Sequence, residues 1–339
     1  MTKSMHVLVT GATGFIGYHT VMALLDAGHS IRFGVRNKKK MEGLYHPHGV
    51  DTSDCAVCEI TDKVGIEAAL QGCDAVVHTA AFVSLDKNKA ELIYRTNVTG
   101  TELVIGTAVE MGIHSIVHVS SSTAYFDPFA PVIDETTPLA EPDTPYGRSK
   151  ADSAKFVGGL VEGGARIATS YPTGVIGPDD PGLSEGNEAF AIFFNMSFVN
   201  TSTGAQFIDV RDLARAHVLM LEQHKTGPYL VAGHFRSWEE LGLLLDRITG
   251  RKLRKLKIPG AVLRQLGSAV DFAARFFPIE TPLTREGVTY ASQWVYVDDR
   301  KVRDELKLEF MPLEDSLADT ISWLARAGHI DEDWAQDIA

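Results

Sequence analysis

Cysteine is scarce in this chain. Three occur in 339 residues, Cys55, Cys58 and Cys73, which is too few for a disulfide framework. Cys55 and Cys58 make a Cys-Ala-Val-Cys step, a spacing that raises a redox or metal site. The step lies in an apolar strand pattern, where residues three apart point to opposite faces. No second pair completes a zinc site, and no metal is expected. Basic residues are also in deficit: 32 Lys and Arg stand against 44 Asp and Glu, a formal charge of −12. Such a chain has no global attraction for a polyanion, so nucleic acid is not an expected partner. A clean apolar run of spanning length is absent. The most apolar stretch, residues 258–278, is interrupted by Arg264, Asp271 and Arg275 and reads as an amphipathic helix. Lying on a membrane surface is its secondary reading; the primary expectation is no membrane partner. No leader-type hydrophobic segment precedes the first strand pattern, and the expected location is the cytoplasm.

What is present is an alternation. Strand-like runs fall at 6–9, 30–35, 55–60, 75–78 and 115–120, and helical patterns at 15–27, 62–71 and 86–111. Gly28, Gly72 and Gly112 close the helices. Repeated strand–helix–strand order implies an α/β fold of Rossmann type, a doubly wound parallel sheet with helices on both faces. Right-handed crossovers leave few topologies. Past residue 172 the alternation loosens. Gly177-Pro178-Asp179-Asp180-Pro181-Gly182 reads as a surface loop leading into a smaller mixed lobe. The expected division is 1–172 for a dinucleotide, also receiving later segments around 205–235, and 173–339 mainly for substrate. Lys38-Lys39-Lys40 reads as a solvated turn.

Thr10-Gly11-Ala12-Thr13-Gly14-Phe15-Ile16-Gly17 follows the first strand and opens the first helix. Gly11 allows the tight turn, Gly14 lets the backbone approach a pyrophosphate, and Gly17 permits close helix–strand packing. The helix N-terminus offers N–H groups and partial positive charge to the anion. The second strand should end in a carboxylate if the ribose 2′-hydroxyl is to be bound. Here Gly34-Val35-Arg36-Asn37 follows instead. Arg36 can pair bidentately with a 2′-phosphate, with Lys39 or Lys40 adding charge. The expected cofactor is therefore NADP(H), ahead of NAD.

Asp143-Thr144-Pro145-Tyr146-Gly147-Arg148-Ser149-Lys150 starts a helix, with Thr144 as cap and Pro145 in the first turn. Tyr146 and Lys150 then share a face. A free tyrosine titrates near pH ~10; a neighbouring ammonium and the helix N-terminus both favour the phenolate. Tyr146 is thereby a candidate acid for a carbonyl oxygen or base for an alcohol. The fifth strand ends in Ser120-Ser121-Ser122-Thr123, any of whose hydroxyls could hold that oxygen or simply turn the chain.

Taken together, these segments resemble the extended short-chain dehydrogenase/reductase superfamily, the NAD-dependent epimerase/dehydratase group. Val77-His78-Thr79-Ala80-Ala81, Asn97-Val98-Thr99-Gly100-Thr101, Tyr171-Pro172-Thr173-Gly174-Val175-Ile176-Gly177-Pro178 and Phe207-Ile208-Asp209-Val210-Arg211-Asp212 extend the likeness over most of the chain, thinning beyond about residue 235. The resemblance implies Ser122 as the triad hydroxyl, Tyr146 as acid/base, and Lys150 as its activator and a ribose contact. It makes Gly11, Thr13, Gly14, Phe15, Ile16, Gly17, Thr79, Ala80 and Ala81 cofactor contacts, puts Pro172 and Val175 against the nicotinamide, and makes Asn97 structural. The family's aspartate at the end of the third strand is replaced by Glu59-Ile60, with Ile60 left to flank the adenine. Val35-Arg36-Asn37-Lys38-Lys39-Lys40 looks like the NADP-binding strand end of dihydroflavonol 4-reductase-like enzymes. Sugar-nucleotide members carry an arginine before the segment at 207; residues 200–206 here have none.

The expected function is NADPH-dependent reduction of a ketone or aldehyde on a fairly apolar small molecule. Hydroxysteroid or sterol dehydrogenation, nucleotide-sugar epimerisation or dehydration, and a non-catalytic NADP-sensing role are the alternatives. A homodimer is expected by analogy with the family. The run Ala189-Phe190-Ala191-Ile192-Phe193-Phe194 reads equally as an apolar pocket wall or as helix core.

Overall fold

The computed structural model describes residues 3–84, 86–273 and 285–338. The chain opens with β1 (His6–Thr10), α1 (Phe15–Asp26), β2 (Ser30–Val35), α2 (Lys38–Tyr45), β3 (Cys55–Val57), α3 (Lys63–Leu70) and β4 (Ala75–His78). It continues through α4 (Ala90–Tyr94), α5 (Gly100–Glu110), β5 (Ser115–Val119), α6 (Pro145–Glu162) and β6 (Ile167–Pro172). Next come β7 (Gly174–Ile176), α7 (Glu185–Asn195), β8 (Phe198–Asn200), β9 (Gly204–Asp209), α8 (Val210–Glu222) and β10 (Gly227–Val231). β11 (His234–Ser237), α9 (Trp238–Thr249), β12 (Lys255–Lys257), α10 (Gly260–Ala273), α11 (Arg285–Ser292), α12 (Arg300–Leu306) and α13 (Leu313–Arg326) follow.

Seven strands form one sheet in the order β10-β6-β5-β4-β1-β2-β3, and every neighbouring pair is parallel. Parallel strands need both faces covered, and β4, β5 and β6 are buried along their whole lengths. α1, α8 and α12 cover one face, around Val21, Phe33, Leu213 and Val302. α3, α5 and α6 cover the other, around Leu8, Ile66, Ile105 and Val157. From β1 the chain winds outward to β3, then crosses back to β4 and proceeds to β10. That reversal between β1 and β4 opens a crevice at the carboxyl ends of the strands, where such sheets bind ligands.

The remaining strands build a second layer. β7 and β9 run parallel and β11 antiparallel to β9, while β8 and β12 form a parallel pair. α7, α9 and α13 pack on them around Phe190, Phe198, Trp238 and Leu317.

Four expectations change. The strand read at 55–60 stops at Val57. The Lys38-Lys39-Lys40 run is the first turn of α2, capped by Asn37, whose Oδ1 accepts from Lys40 N at 3.0 Å. The helical region at 86–111 is not continuous: a π-helical turn at Arg95–Thr99 separates α4 from α5. The segment at 177–182 is not a surface loop throughout. Gly177, Pro178 and Asp180 are buried, because the Asp180 carboxylate accepts from Gly182 N, Ser184 N and Asn187 Nδ2. The amphipathic helix read at 258–278 is present as α10 up to Ala273; its residues 274–278 lie outside the described residues.

The aromatic run at 189–194 is core. Phe190 is fully buried and meets Phe207 edge-on at 5.4 Å, and Phe193 meets Phe198 at 4.8 Å. Phe190→Ala should therefore cost about 3–5 kcal/mol, read as a lower denaturant midpoint at unchanged slope.

Candidate active site

The glycine turn sits at the crevice, and its three glycines have separate reasons. Gly11 has φ +75°, and a Cβ there would lie 2.6 Å from both the Ala80 backbone nitrogen and Thr79 Oγ1. A Cβ on Gly17 would lie 2.1 Å from the Gly11 carbonyl oxygen. Gly14 is exposed and meets nothing closer than 3.4 Å. The fold itself therefore leaves room for a side chain here. Gly14 also caps α1, so no cap side chain accepts from the first helical N–H groups, and no acid occupies the first turn. An open glycine face on a helix N-terminus fits the pyrophosphate of a dinucleotide.

The turn is held from two sides. Thr79 Oγ1 donates to the Thr10 carbonyl at 2.8 Å. Tyr45 in α2 donates to the Ala12 carbonyl at 2.7 Å. Tyr45 is fully buried, and burial pushes its phenol pKa up, so it stays a donor at any working pH. Thr13 and Ile16 are half-buried on the turn, and Ala80 and Ala81 line the next strand end, Ala81 exposed. The Phe15 ring is buried against His19 at 5.4 Å, which leaves its backbone N–H as the group facing a ligand. Arg36 is exposed immediately past β2 and has no hydrogen bond or ion pair among the described residues. Lys38 reaches Glu42 at 3.7 Å, and Lys39 is exposed beside it. Ile60 packs on Gly100, where a Cβ would come within 2.6 Å of its Cδ1.

The tyrosine–lysine pair lies in the first turns of α6. Thr144 Oγ1 accepts from Gly147 N at 3.2 Å, and Pro145 is the first helical residue. Lys150 is 5% exposed, with Nζ 5.7 Å from the centroid of the half-buried Tyr146 ring. Burial brings the ammonium pKa down to about 8, and Glu185 opposes the fall. The serines at the end of β5 are no longer equivalent. Ser121 is committed to the turn, accepting from Thr123 N and donating to Thr123 Oγ1 at 3.0 Å. Ser122 opens a 3₁₀ turn, Ser122–Tyr125, that packs on α6. Pro172 is buried at the end of β6 and Val175 half-buried in β7. The start of α7 presses on β7 so closely that a Cβ on Gly186 would sit 2.1 Å from the Val175 carbonyl oxygen.

The resemblance already made Asn97 structural; its partners, and two further features, escaped the sequence. The Asn97 side chain, in the π-helical turn, brackets Phe82 by accepting from its N–H at 2.7 Å and donating to its carbonyl at 3.0 Å. It also donates to Ser149 Oγ at 3.0 Å, and Ser149 donates to the Tyr146 carbonyl at 2.7 Å. His78 and His118 stack in the sheet, ring centroids 5.9 Å apart. Burial, with Lys150 adding to it, holds the pKa of His78 down at about 3 and that of His118 well below the usual range. Both rings are thus neutral beside a buried cation. Phe126, four residues past Ser122, meets Tyr290 at 4.5 Å and Trp294 at 6.4 Å, an aromatic wall from the second layer. The segment at 207–212 is a brace: Asp209 pairs with Arg211 at 2.9 Å, and Arg211 reaches Asp319 of α13 at 2.7 Å.

Residues 7–232 match the model of the NAD-dependent epimerase/dehydratase family. The chain belongs to this family. Epimerase/dehydratase proteins bind NAD(P), and this member is an NAD(P)-dependent oxidoreductase of reductase or epimerase type. Its relatives include sterol demethylase protein B of Methylococcus capsulatus, 28% identical over 96% of this chain and all of that protein. A dihydroflavonol 4-reductase-like protein of Synechocystis sp. is 29% identical over 95% of each. The solved structure of gox2253 superposes with a TM-score of 0.80 at 27% identity, covering 97% of this chain and 100% of its own. Among the described residues no helix is long and apolar enough to cross a membrane.

The glycines separate by experiment. Gly17→Ala must displace the turn and should lower the melting temperature as well as abolish dinucleotide binding. Gly14→Ala should melt like the wild type yet weaken NADPH on the order of tenfold, about 1.4 kcal/mol, in a fluorescence titration.

Proposed function

We propose that the protein is an NADPH-dependent reductase of a ketone or aldehyde on a fairly apolar small molecule. The observation that carries this reading is Lys150, buried beside Tyr146 at the N-terminal end of α6. Burying a lysine is costly, with Glu185 offsetting only part of the penalty, and such groups cluster where their charge is used. Bound on the glycine cradle, with Ile60, Thr79, Ala80, Ala81, Pro172 and Val175 along its length, a nicotinamide dinucleotide supplies the hydride. Tyr146 donates its hydroxyl proton to the carbonyl oxygen. The Lys150 ammonium stabilises the phenolate left behind. Ser122 donates a hydrogen bond to the same oxygen and stabilises the negative charge that develops on it in the transition state. The phosphorylated cofactor is supported by Arg36, which has no partner among the described residues and matches a 2′-phosphate.

An apolar substrate is supported by the wall of Phe126, Tyr290 and Trp294, and by the sterol and dihydroflavonol in the relatives' names. The absence of arginine at 200–206 disfavours a diphosphate. Oxidation of a sterol hydroxyl is a second reading, favoured by the same sterol-linked relative. We further assign 1–172 to the dinucleotide and 173–339 mainly to the substrate, in a cytoplasmic homodimer.

Arg36→Ala should weaken NADPH on the order of a hundredfold, about 2.7 kcal/mol, and leave NADH unchanged; equal losses for both would remove the 2′-phosphate assignment. Tyr146→Phe should lower kcat by roughly 10²–10⁴-fold with NADPH affinity retained. Burial disfavours the charged lysine, so Lys150 is protonated below about pH 8 and neutral above it. Reduction needs the protonated form, and kcat/KM should fall as pH rises through that value.

A further inference from the structure

From Arg251 to the end of α10 the chain holds six cations, Arg251, Lys252, Arg254, Lys255, Lys257 and Arg264, and one acid, Asp271. Removing those six positive charges from the chain's −12 leaves −18 on the rest. The charge is thus strongly one-sided. Three of the cations have partners: Arg251 pairs with Asp333 at 3.0 Å, Lys255 with Asp246, and Arg264 donates to Ser292 at 3.0 Å. Lys252, Arg254 and Lys257 are exposed, and no side-chain hydrogen bond or ion pair holds them among the described residues.

Apolar side chains stand among these cations. Leu256 on β12 is 39% exposed, and on α10 Val262 and Leu266, one helical turn apart, are 46% and 50% exposed. Leu263, on the inner face of the same helix, is 3% exposed. Phe198 N donates to the Arg254 carbonyl at 2.9 Å. Met196, two residues earlier, is 70% exposed. α10 packs on α11, and Tyr290 of α11 meets Phe126, which follows the 3₁₀ turn opened by Ser122. A chain of packed elements thus joins this face to the segment that carries Ser122.

We propose that β12 and the outer face of α10 dock on an anionic lipid bilayer. Acidic headgroups attract the three unpaired cations across a distance of about one Debye length, roughly 8–10 Å. The rest of the chain carries a net −18, which the same surface repels. Val262 and Leu266 then enter the boundary between headgroups and acyl chains, as the apolar side of an interfacial helix does. The bilayer is favoured because exposed apolar side chains on the outer face of a helix beside unpaired cations match the headgroup–acyl boundary. Where the reductase reading holds, on which this last step alone rests, the cleft opens toward the phase in which an apolar substrate dissolves.

The full chain should be sedimented with phosphatidylcholine vesicles, with and without phosphatidylserine, at low and high salt. Binding is expected only with phosphatidylserine and should fall as salt rises. The variant Lys252→Glu/Arg254→Glu/Lys257→Glu should lose on the order of a hundredfold in vesicle affinity, and Val262→Ser/Leu266→Ser should also bind more weakly. Both variants should melt at the wild-type temperature, because they alter exposed side chains. No sedimentation with phosphatidylserine vesicles at low salt would overturn the proposal, as would undiminished binding by the charge-reversed variant. The readout needs no turnover, so failure of the reductase reading would leave vesicle binding intact, and the two are told apart.

Discussion

The site depends on the buried hydrogen-bond network around Asn97. Thr101 donates to the Asn97 carbonyl at 2.7 Å. Its oxygen is then the acceptor for His78 Nε2 at 3.2 Å, which leaves His78 Nδ1 to accept from Thr10 at 2.7 Å. The Asn97 side chain meanwhile joins the Phe82 backbone to Ser149. One connected set of bonds thereby fixes the end of β1, the end of β4, the loop after β4 and the start of α6. Each of these segments carries a candidate cofactor or catalytic residue. Deleting the Asn97 amide would strand both polar groups of Phe82, at about 1–3 kcal/mol each if they stay buried.

The π-helical turn is the means by which Asn97 gets there. An uninterrupted α-helix from α4 to α5 would place successive side chains about 100° apart; the wider turn re-aims one of them, as such turns do at functional sites. The network also explains how a cation is tolerated in the sheet's upper layer. His78 is locked as a neutral tautomer, and His118 is neutral by burial. Neither ring adds a charge beside Lys150, and Glu185 opposes the effect of burial, which brings the ammonium pKa down to about 8.

Much of this was legible from residue types. The glycine turn, the capped start of α6 and the parallel sheet each follow from a local rule, and the structure has all three. The reasons for Gly11, Gly14 and Gly17 were assigned separately from the sequence, and their surroundings differ in the same sense. What was not legible depends on contacts distant along the chain. Tyr45 bears on Ala12 from 33 positions away, and Phe126 meets Tyr290 across the two layers. The aromatic run of α7 could not be sorted into pocket or core until Phe207 and Trp238 were seen to close over it. The loop at 177–182 has the composition of a surface turn, and only the Asn187 and Asp180 bonds draw it inward.

The central claim is net hydride transfer to an apolar carbonyl, with Tyr146 supplying the proton. It is tested most directly by supplying NADPH deuterated on the transferable nicotinamide position with a panel of apolar ketones and aldehydes, and weighing the products. The account predicts an alcohol carrying one deuterium on the former carbonyl carbon, formed in step with NADPH consumption. Interconversion of nucleotide sugars without net NADPH consumption, and no deuterated alcohol from the panel, would contradict it.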